Sequence, residues 1–493
     1  MIDKYKNHIL FISFLKLAII FLLPLTGDEA YFIKWANNLD IGYYDHPPMV
    51  GWLIYLMQYI NDSFVAFRLF SFASVFIISF LIYKILIELD IQKEKAIFSA
   101  IMFIIFPVDI LVLLFTNDIP LVLFGTIGSY LLLLSFRKNY ILNSFLAGIF
   151  LGLSFLSKYF AVFLFLGLVI YIIIRYRTKA IKHILIVAIT VLPFIAENLY
   201  FNYNSCQNNI MFNFFARTGD LHYNISTTIG YFKTLFYLLT PWGIYYIYKS
   251  RANIDKKVFL FILSVAGVGL AIFLLVSFKK KIGLHWLLLL LPYIFMLFAF
   301  VEDKYKNNLA KYSLIFTYFH IVILLGILMI PDSMMQKHKR YKDIMLFTKT
   351  KSICNNISKY DDLYTTDYTS ASVLSYHCKQ DIKMIMNNSK YGRFDDKLVD
   401  IRDLQTRHIN IFYEKKPDKN SLESLFDEVS ISSFEIDQYS FYVAHLSNLN
   451  YKEYKKQYLD IQKEKFYNIP KWLPTGKCYF YDRYYNNHKE DKL

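Results

Sequence analysis

The sequence predicts a polytopic α-helical membrane protein of about 11 transmembrane helices, followed by a small C-terminal extracytoplasmic α/β domain. Three observations predict this fold class. Hydrophobic residues make up 56% of the 493 residues, which is more than an ordinary soluble domain contains. They cluster before residue 330 in runs that approach the roughly 20 residues needed to cross a bilayer. The runs lack the alternation of strands, and only helices or closed barrels span lipid.

Eleven apolar runs are candidate spans. They cover residues 8–25, 64–88, 96–115, 119–136, 142–157, 160–175, 182–199, 228–248, 257–277, 284–300 and 309–330. We interpret the first run as a retained helix, because no small-residue cleavage site precedes Thr26. Lys and Arg concentrate in alternate gaps, for example at Arg137-Lys138 and Lys304 to Lys311. By the positive-inside rule these gaps are cytoplasmic, so the N-terminus lies inside and the C-terminal domain lies in the periplasm.

The net charge of +15 admits two interpretations. Nucleic-acid binding is one explanation of a strongly positive net charge. Binding at a membrane surface is favoured, because the basic residues lie mostly between the apolar runs. We therefore expect membrane lipid, and no nucleic acid, as a partner.

Most of the unusual polar residues among the spans fall in gaps that this topology places outside. They lie in the first outer loop at 26–63, at Asn117-Asp118, at 157–159, in the loop 201–227 and at 279–285. Polar groups are costly at membrane depth and mark functional sites. The topology therefore predicts an active site at the outer mouth of a transmembrane domain that spans residues 1–330.

Residues 331–493, here called the tail, mix charges, Asn and Tyr with short apolar runs. Strands are predicted at 363–366, 382–386, 409–413, 429–434 and 439–444, and helical turns at 370–376 and 422–426. The four cysteines are Cys206, Cys354, Cys378 and Cys478, and none forms a CxxC pair. A Cys354–Cys378 disulfide and free thiols are both compatible with the sequence.

Carboxylates stand at two of the outer gaps. Asp28 and Glu29 follow the first span, and Asp118 precedes Ile119-Pro120. One interpretation makes Asp28 and Asp118 helix N-caps. The alternative is catalytic, because a carboxylate at the mouth can act as general base on an acceptor hydroxyl. Two acids that reach one membrane face favour a catalytic or metal-binding pair.

A rigid segment follows at Tyr44, Asp45, His46 and two prolines. The prolines stiffen the backbone and hold the preceding residue out of the helical region. Asp45 and a distant histidine such as His285 offer the oxygen and nitrogen ligands of a divalent metal (Zn, Mg or Mn). No local spacing motif supports the metal, and a rigid turn is the alternative.

Cations lie in the same predicted gaps. They are Lys158 beside Tyr159, Arg217 in the loop 201–227, and Lys279, Lys280 and Lys281 shortly before His285 and Trp286. Lys158 is either a snorkelling lysine or the partner of a membrane-embedded phosphate. The three lysines oppose the orientation rule, and one account is that this short loop is outvoted by the other gaps. The other account, which we favour because a substrate at that depth would carry charge, is an anion site. His46 and Tyr44 complete the predicted substrate-binding residues.

Several catalytic patterns do not occur. The sequence holds no Ser-His-Asp spacing, no Walker loop and no GxGxxG before a helix. This disfavours nucleotide binding and ATP-driven chemistry. A substrate that is activated elsewhere and delivered through lipid needs neither.

The ordered motifs resemble a known family. GDEAYF, GYYDHPPMVGWL, TNDIPL, GLSFLSKY and a lysine-rich loop ending in HW occur in this order within residues 1–330. They resemble family 39 of the membrane C-type (GT-C) glycosyltransferases. The most similar branch holds bacterial transferases of aminoarabinose to lipid A and of galacturonic acid to lipopolysaccharide core. Protein O-mannosyltransferases are more distant members.

This resemblance implies an inverting transfer from a polyprenyl-phosphate sugar donor to an envelope glycolipid at the outer face of the bacterial inner membrane. It implies Asp28 and Asp118 as essential acids and Lys158 as a phosphate contact. In the aminoarabinose branch, Glu-Lys precedes the two prolines and contributes to metal and phosphate contact. Here Asp45-His46 stands there, so that lysine is missing, and a different sugar or acceptor is one interpretation.

Three alternatives stay open at the sequence level. A protein O-glycosyltransferase of the same family would use a protein hydroxyl as acceptor. A transporter or flippase for lipid-linked glycans would also need an apolar groove and buried charges, but it should show inverted repeats or interrupted helices near the midplane. The sequence shows neither, and its charged residues gather at one face. A non-catalytic assembly protein would leave the clustered acids unexplained.

Overall fold

The computed structural model describes residues 2–217, 222–338 and 340–486. Two compact units make up the chain. The first comprises Met1–Leu23, Met57–Glu197 and Leu221–Met329, and the second comprises Pro24–Leu56, Asn198–Asp220 and Ile330–Leu493. Most of the first outer loop, residues 26–56, and part of the loop 201–227 thus share a unit with the tail. The division into domains at residue 330 stays a prediction.

Helices make up the first unit. Its long helices are Ile2–Leu22, Phe64–Glu88, Lys93–Ile105, Asp118–Ser135, Tyr140–Ser157, Ala161–Tyr176, Ala180–Asn204, Ile225–Leu239, Pro241–Lys249, Lys256–Ser277 and Asp303–Leu328. Short 3-10 turns cover Pro107–Val112, Arg177–Lys179, Arg251–Asn253, Leu284–Leu290 and Met296–Phe300, and an α-turn covers Leu291–Phe295. Helix Ala180–Asn204 continues into the second unit at Asn198.

Seven helical segments of the described residues are long and apolar enough to cross a membrane. They are Lys4–Leu22, Phe64–Glu88, Asp118–Ser135, Tyr140–Ser157, Ala161–Asn204, Lys256–Ser277 and Asp303–Leu328. The segment Ala161–Asn204 contains 44 residues and covers two of the predicted spans. The predicted class, a multi-pass helical membrane protein, is confirmed.

The predicted count of 11 spans is not confirmed, because three predicted spans are broken. The run 96–115 stops being an α-helix at Phe106, since Pro107 disfavours the helical region for the residue before it. The run 228–248 breaks at Thr240, which has a positive φ of 58°, and Pro241 begins the next helix. The run 284–300 alternates between 3-10 and α turns around Pro292.

An arginine that the sequence analysis passed over holds the end of the first helix. Arg68 is fully buried in helix Phe64–Glu88. Its Nη1 donates to the carbonyl oxygens of Ile20 at 3.1 Å and Leu23 at 2.6 Å. The last carbonyls of a helix have no partner within the helix, so a buried guanidinium supplies the donors that water would otherwise provide.

The second unit contains one five-stranded sheet with strand order β2-β1-β3-β5-β4. The strands are β1 (Leu363–Thr365), β2 (Lys383–Met384), β3 (His408–Tyr413), β4 (Phe426–Ile436) and β5 (Tyr439–Leu449). β1 pairs in parallel with β2 and β3, and β5 is antiparallel to β3 and β4. All five predicted strands are present, and the predicted α/β fold of the tail is confirmed.

Short helices surround this sheet. They are Gly27–Asn37, Met49–Gln58 (which ends in the first unit), Asn208–Ile210, Asp332–Met335, Tyr341–Thr348, Thr350–Ile357, Tyr368–Cys378, Asp395–Leu398, Lys419–Glu423, Tyr451–Tyr454, Asp460–Phe466 and Tyr479–Tyr484. Single turns of 3-10 helix cover Lys390–Gly392 and Ile401–Thr406, and π turns cover Met211–Ala216 and Lys455–Leu459. The predicted turn at 370–376 lies within Tyr368–Cys378. The turn predicted at 422–426 ends at Glu423, because Phe426 already begins β4.

Two disulfides stabilise the second unit. Cys354 pairs with Cys378, as one of the two interpretations of the sequence expected. Cys206 pairs with Cys478 across 272 residues, a pairing that we did not predict. Both sulfurs of the second bridge lie in the core beside Ile409, Ala444 and Phe480. The segment 198–220 is therefore tied covalently to the end of the tail.

Candidate functional site

A buried ion pair joins two of the predicted residues in the first unit. Asp118 is the first residue of helix Asp118–Ser135, and Lys158 follows the last residue of helix Tyr140–Ser157. Lys158 Nζ lies 2.8 Å from Asp118 Oδ1, and both side chains are 7% exposed. The N-cap is Asn117 rather than Asp118, and the cap makes no side-chain hydrogen bond. Asp118 is therefore not used as a cap and is available for other chemistry.

Two aromatic rings, Phe160 and Trp286, connect this ion pair to the lysine-rich loop. Lys158 Nζ lies 5.2 Å from the ring centroid of Phe160, and Phe160 packs against Trp286 at 5.1 Å. Lys280 Nζ lies 5.5 Å from the ring centroid of Trp286. Residues from three of the predicted outer gaps thus meet at one end of the helices in the first unit.

The other predicted residues of this region are more exposed. Lys279, Lys281 and His285 are exposed, and Tyr159 is half-buried with its ring 5.5 Å from that of Phe155. The Nδ2 of Asn117 is buried and has no hydrogen-bond partner. An unsatisfied buried donor is rare in native proteins, so Asn117 adds an oriented polar group beside Asp118.

In the second unit, Asp28 and Glu29 stand in the first turn of helix Gly27–Asn37, here called the loop helix. Thr26 caps this helix in a capping box, in which Glu29 N–H donates to Thr26 Oγ1 and Thr26 N–H donates to Glu29 Oε2. Glu29 is buried by this contact, whereas Asp28 is exposed. The cap is thus Thr26, not Asp28 as the structural interpretation expected. The exposed Asp28 is the better placed of the two acids to meet a substrate.

A second buried ion pair anchors the loop helix to the tail. Lys34 Nζ lies 2.6 Å from Asp395 Oδ1, with side chains 4% and 1% exposed. Lys34 also donates to the Ile382 carbonyl at 3.2 Å, and Asp395 accepts from Met384 N–H at 3.1 Å. Backbone groups of the tail therefore add one hydrogen bond to each charge of the pair, while Asp395 Oδ2 is buried without a hydrogen-bond partner.

Asparagines hold the predicted Tyr44-Asp45-His46 segment. Asn209 is buried and donates from Nδ2 to the carbonyls of Tyr43 and, at 3.1 Å, Tyr44. The backbone N–H of Asn209 donates in turn to Asn202 Oδ1 at 3.0 Å. The rigid presentation that the two prolines predict is thus reinforced from the segment 198–220.

Asp45 is a buried carboxylate with an unusual environment. Its Oδ1 has no hydrogen bond of normal geometry, and neither has the hydroxyl of the buried Tyr44. Burial raises the pKa of Asp45 to about 7; the charge of Arg217 opposes this rise, and that of Asp28 adds to it. Perturbed carboxylates of this kind cluster at functional sites.

Arg217 lies on the aromatic side of this segment. Its guanidinium carbon is 5.0 Å from the ring centroid of Phe212, which packs edge-on against Tyr44 at 5.5 Å and His46 at 6.4 Å. Burial lowers the pKa of Arg217, while the charge of Asp45 acts in the opposite direction. The structure thus brings Tyr44, Asp45, His46 and Arg217 together. Residues 218–221 of the predicted loop lie outside the described residues.

The structure offers no ligand set for the predicted metal. Among residues 2–217, 222–338 and 340–486, no three His, Cys, Asp or Glu side chains group closely enough to hold an ion. Asp45 and His285, the two predicted ligands, belong to different compact units. The metal stays a prediction, and we derive no step through it.

Sequence reasoning missed Lys34, Asp395, Asn209 and the Cys206–Cys478 bridge. Two of them carried a signal. Lys34 is the only charge in an otherwise apolar stretch, Ala30 to Ala36, and a buried lysine needs a partner. Once Cys354 and Cys378 pair, Cys206 and Cys478 are the only cysteines left. No local pattern indicates Asp395 or Asn209, because their partners are distant in sequence.

Three comparisons with known proteins each find similarity to glycosyltransferases. Residues 45–201 match the family model of dolichyl-phosphate-mannose-protein mannosyltransferases. The chain is 23% identical over 247 residues to a lipid A galacturonosyltransferase, RgtD, of Rhizobium johnstonii, a match that covers 48% of this chain and 52% of that protein. The chain thus spans about half the length of the curated relative it matches.

The fold is that of a solved membrane glycosyltransferase. The structure of ArnT from Cupriavidus metallidurans bound to undecaprenyl phosphate superposes with a TM-score of 0.64 at 12% identity, covering 90% of this chain and 97% of that one. The apo structure of the same protein gives a TM-score of 0.62. The predicted resemblance to GT-C glycosyltransferases that modify lipid A is confirmed.

Proposed function

We propose that this chain is a membrane glycosyltransferase that transfers a sugar from a polyprenyl phosphate to lipid A or another envelope glycolipid. The observation that carries the proposal is the buried Asp118–Lys158 pair, at 2.8 Å, in a chain with the fold of ArnT. The relative RgtD acts on lipid A, and ArnT binds undecaprenyl phosphate. Both properties fit a site built from carboxylates and lysines.

In the proposed reaction, an acceptor hydroxyl attacks the anomeric carbon of the sugar. The bond from that carbon to the phosphate oxygen breaks, and inversion follows from attack on the opposite face. Asp28 takes the hydroxyl proton as general base, a role that suits its exposed side chain. Asp118 orients the reacting groups and keeps Lys158 in place. Glu29 supports Asp28 through the Thr26 capping box.

The leaving polyprenyl phosphate gains negative charge as the bond breaks. Preorganised cations stabilise such charge most where water is excluded. Lys158 is the buried candidate for this role, and Arg217 and Lys279 to Lys281 are further candidates. Tyr159, Tyr44 and His46 would line the sugar or the acceptor.

The second unit should face the periplasm of the bacterial inner membrane. Its two disulfides support this orientation, because structural disulfides persist in oxidising compartments. The alternating Lys and Arg between the spans support it independently, with the N-terminus in the cytoplasm. Reporter fusions at residues 138 and 486 test it. Periplasmic activity should appear only for the fusion at residue 486.

Mass spectrometry of lipid A from a deletion strain tests the reaction. The proposal predicts that one sugar mass is lost from lipid A and returns with the wild-type gene but not with the Asp28→Asn variant. Unchanged glycolipids in the deletion strain would refute a glycolipid acceptor.

A protein acceptor is the second candidate. The matching family model is named for transfer to proteins, which favours this alternative. The same deletion strain distinguishes the two. Loss of a hexose or pentose from envelope glycoproteins, with lipid A unchanged, would select a protein O-glycosyltransferase.

A further inference from the structure

The tail brings a lysine to the Arg217 region that no motif indicated. Lys390 and Tyr391 form the 3-10 turn Lys390–Gly392 between β2 and β3. The ring of Tyr391 lies 6.0 Å from that of Phe212, the same ring over which Arg217 is placed. Lys390 Nζ lies 5.1 Å from the Tyr391 ring centroid. Arg217 and Lys390 thus each lie against one of two aromatic rings, Phe212 and Tyr391, that contact each other edge-on; we call this ring pair the wall.

The two charges are close enough to influence each other. Burial lowers the pKa of Lys390, and the positive charge of Arg217 lowers it further. Among the described residues, no carboxylate lies within ion-pair distance of Lys390. Like charges repel at partly buried sites.

A ligand oxyanion would remove this repulsion. In proteins, phosphate groups commonly accept hydrogen bonds from the planar guanidinium of arginine and the ammonium of lysine. Tyr391 is 38% exposed, so the wall is open to a ligand. The ring of Phe212 also contacts Tyr44 and His46 of the rigid Tyr44-Asp45-His46 segment.

We propose that Lys390 and Arg217, with Tyr391 and Phe212 between them, form an oxyanion subsite for the phosphate group of a lipid substrate. The inference rests on the proposed function, since it takes the substrates to be lipid phosphates. The tail then contributes directly to substrate binding. The phosphate belongs either to the polyprenyl donor or to the headgroup of the acceptor, and the chemistry of the subsite is the same for both.

Binding without turnover tests the subsite on the full-length protein in nanodiscs. Two probes distinguish the source: undecaprenyl phosphate against undecaprenol, and diphosphoryl lipid A against its dephosphorylated form. Lys390→Ala should weaken binding of one phosphorylated probe about tenfold or more, and leave binding of the uncharged probes unchanged. Lys390→Arg should retain binding within about threefold, because it keeps the charge.

The matched control is Lys359→Ala. Lys359 also precedes a tyrosine, and its Nζ also lies 5.1 Å from the ring of Tyr360, but it is exposed. This variant should bind like the wild type. Equal losses in Lys359→Ala and Lys390→Ala, unchanged affinity in Lys390→Ala, or no binding of either phosphorylated probe by the wild type would each overturn the subsite.

The outcome is separable from that of the proposed function. If the wild type binds a phosphorylated probe through Lys390 but transfers no sugar, the reaction is wrong and the subsite stands. If the wild type transfers sugar and Lys390→Ala shows the same Kd and the same KM for both lipids, the reaction stands and the subsite is wrong. Intact disulfides and an unchanged Tm verify that each variant is folded.

Discussion

The chain contains two buried lysine–aspartate pairs that look alike in distance and differ in surroundings. Lys158–Asp118 in the first unit and Lys34–Asp395 in the second are 2.8 Å and 2.6 Å long, and all four side chains are less than 10% exposed. The second pair has further hydrogen bonds from the backbone of Ile382 and Met384. Within the described residues, the Asp118 and Lys158 side chains make no hydrogen bond except to each other.

This difference separates a structural pair from one that can react. Burying two charges costs several kcal/mol per ion, and the cost is offset only when the remaining hydrogen-bonding capacity is used. Lys34–Asp395 meets that condition in part, because tail backbone adds one hydrogen bond to each charge and only Asp395 Oδ2 lacks a partner. Lys158–Asp118 keeps hydrogen-bonding capacity that a substrate can use. Distance and burial alone would have ranked the two pairs as equal.

The largest expected effect is on catalysis. Asp118→Asn should lower transfer at least about 100-fold, because it removes the carboxylate that orients the reacting groups. The variant also leaves Lys158 without its partner, which by itself destabilises a protein by about 3–5 kcal/mol. The double variant Asp118→Asn, Lys158→Met therefore serves as a control, measured for transfer and for Tm. A double variant that regains both stability and transfer would contradict a catalytic role for the pair.

Lys34→Met should have the opposite pattern of effects, with a large loss of stability and little loss of transfer. We expect a loss of about 3–5 kcal/mol in the free energy of unfolding, because Asp395 is left buried and unpaired. Transfer per folded molecule should change by less than about threefold. The double variant Lys34→Met, Asp395→Leu should recover most of the stability. If transfer instead falls as far as in Asp118→Asn, the distinction between the two pairs is wrong.

A partly buried carboxylate, Asp396, extends the comparison to pH. Burial raises the pKa of Asp396 to about 6, while Arg393, at 3.0 Å, opposes the rise. Between about pH 4 and pH 6 the folded protein keeps a proton that the unfolded chain releases, so stability falls as pH increases through this window. Asp396→Asn cannot titrate. Relative to wild type, its free energy of unfolding should rise by about 2 kcal/mol from pH 4 to pH 7. A pH-independent difference would refute this assignment.

The smallest effect is expected at Glu29. Glutamine keeps the hydrogen bond from Thr26 N–H in a capping box. Glu29→Gln should therefore change Tm by less than about 2 °C and transfer by less than about threefold, while Asp28→Asn should abolish transfer. Glu29→Ala, which loses the cap, should cost about 1 kcal/mol in stability. A Glu29→Gln variant as inactive as Asp28→Asn would make Glu29 a catalytic acid.

Local patterns predicted the parts of this molecule that local physics determines. Span 64–88 and the five strands agree closely with the structure, because hydrophobic runs and turn residues fix them. Prolines inside apolar runs, such as Pro107 and Pro241, break helices that average hydropathy treats as continuous. The family motifs contained Asp118 and Lys158, and the structure brings them into contact.

Contacts distant in sequence escaped prediction. Lys34 and Asp395 are 361 residues apart, and Asn209 and Tyr43 are 166 residues apart. Their pairing depends on how three segments, 24–56, 198–220 and the tail, assemble into one unit. Hydrophobic periodicity contains no information about such partners. For the same reason, a lysine of the tail did not enter the predicted site.

The bridge between Cys206 and Cys478 has a consequence for biogenesis. Cys478 is synthesised 272 residues after its partner Cys206. Until then this early segment stays reduced and its part of the core lacks the closing helix Tyr479–Tyr484. Closure of this bridge therefore follows synthesis of the tail, and in the orientation proposed above it requires an oxidant in the periplasm; a nonsense mutation just before Cys478 would leave the bridge unformed.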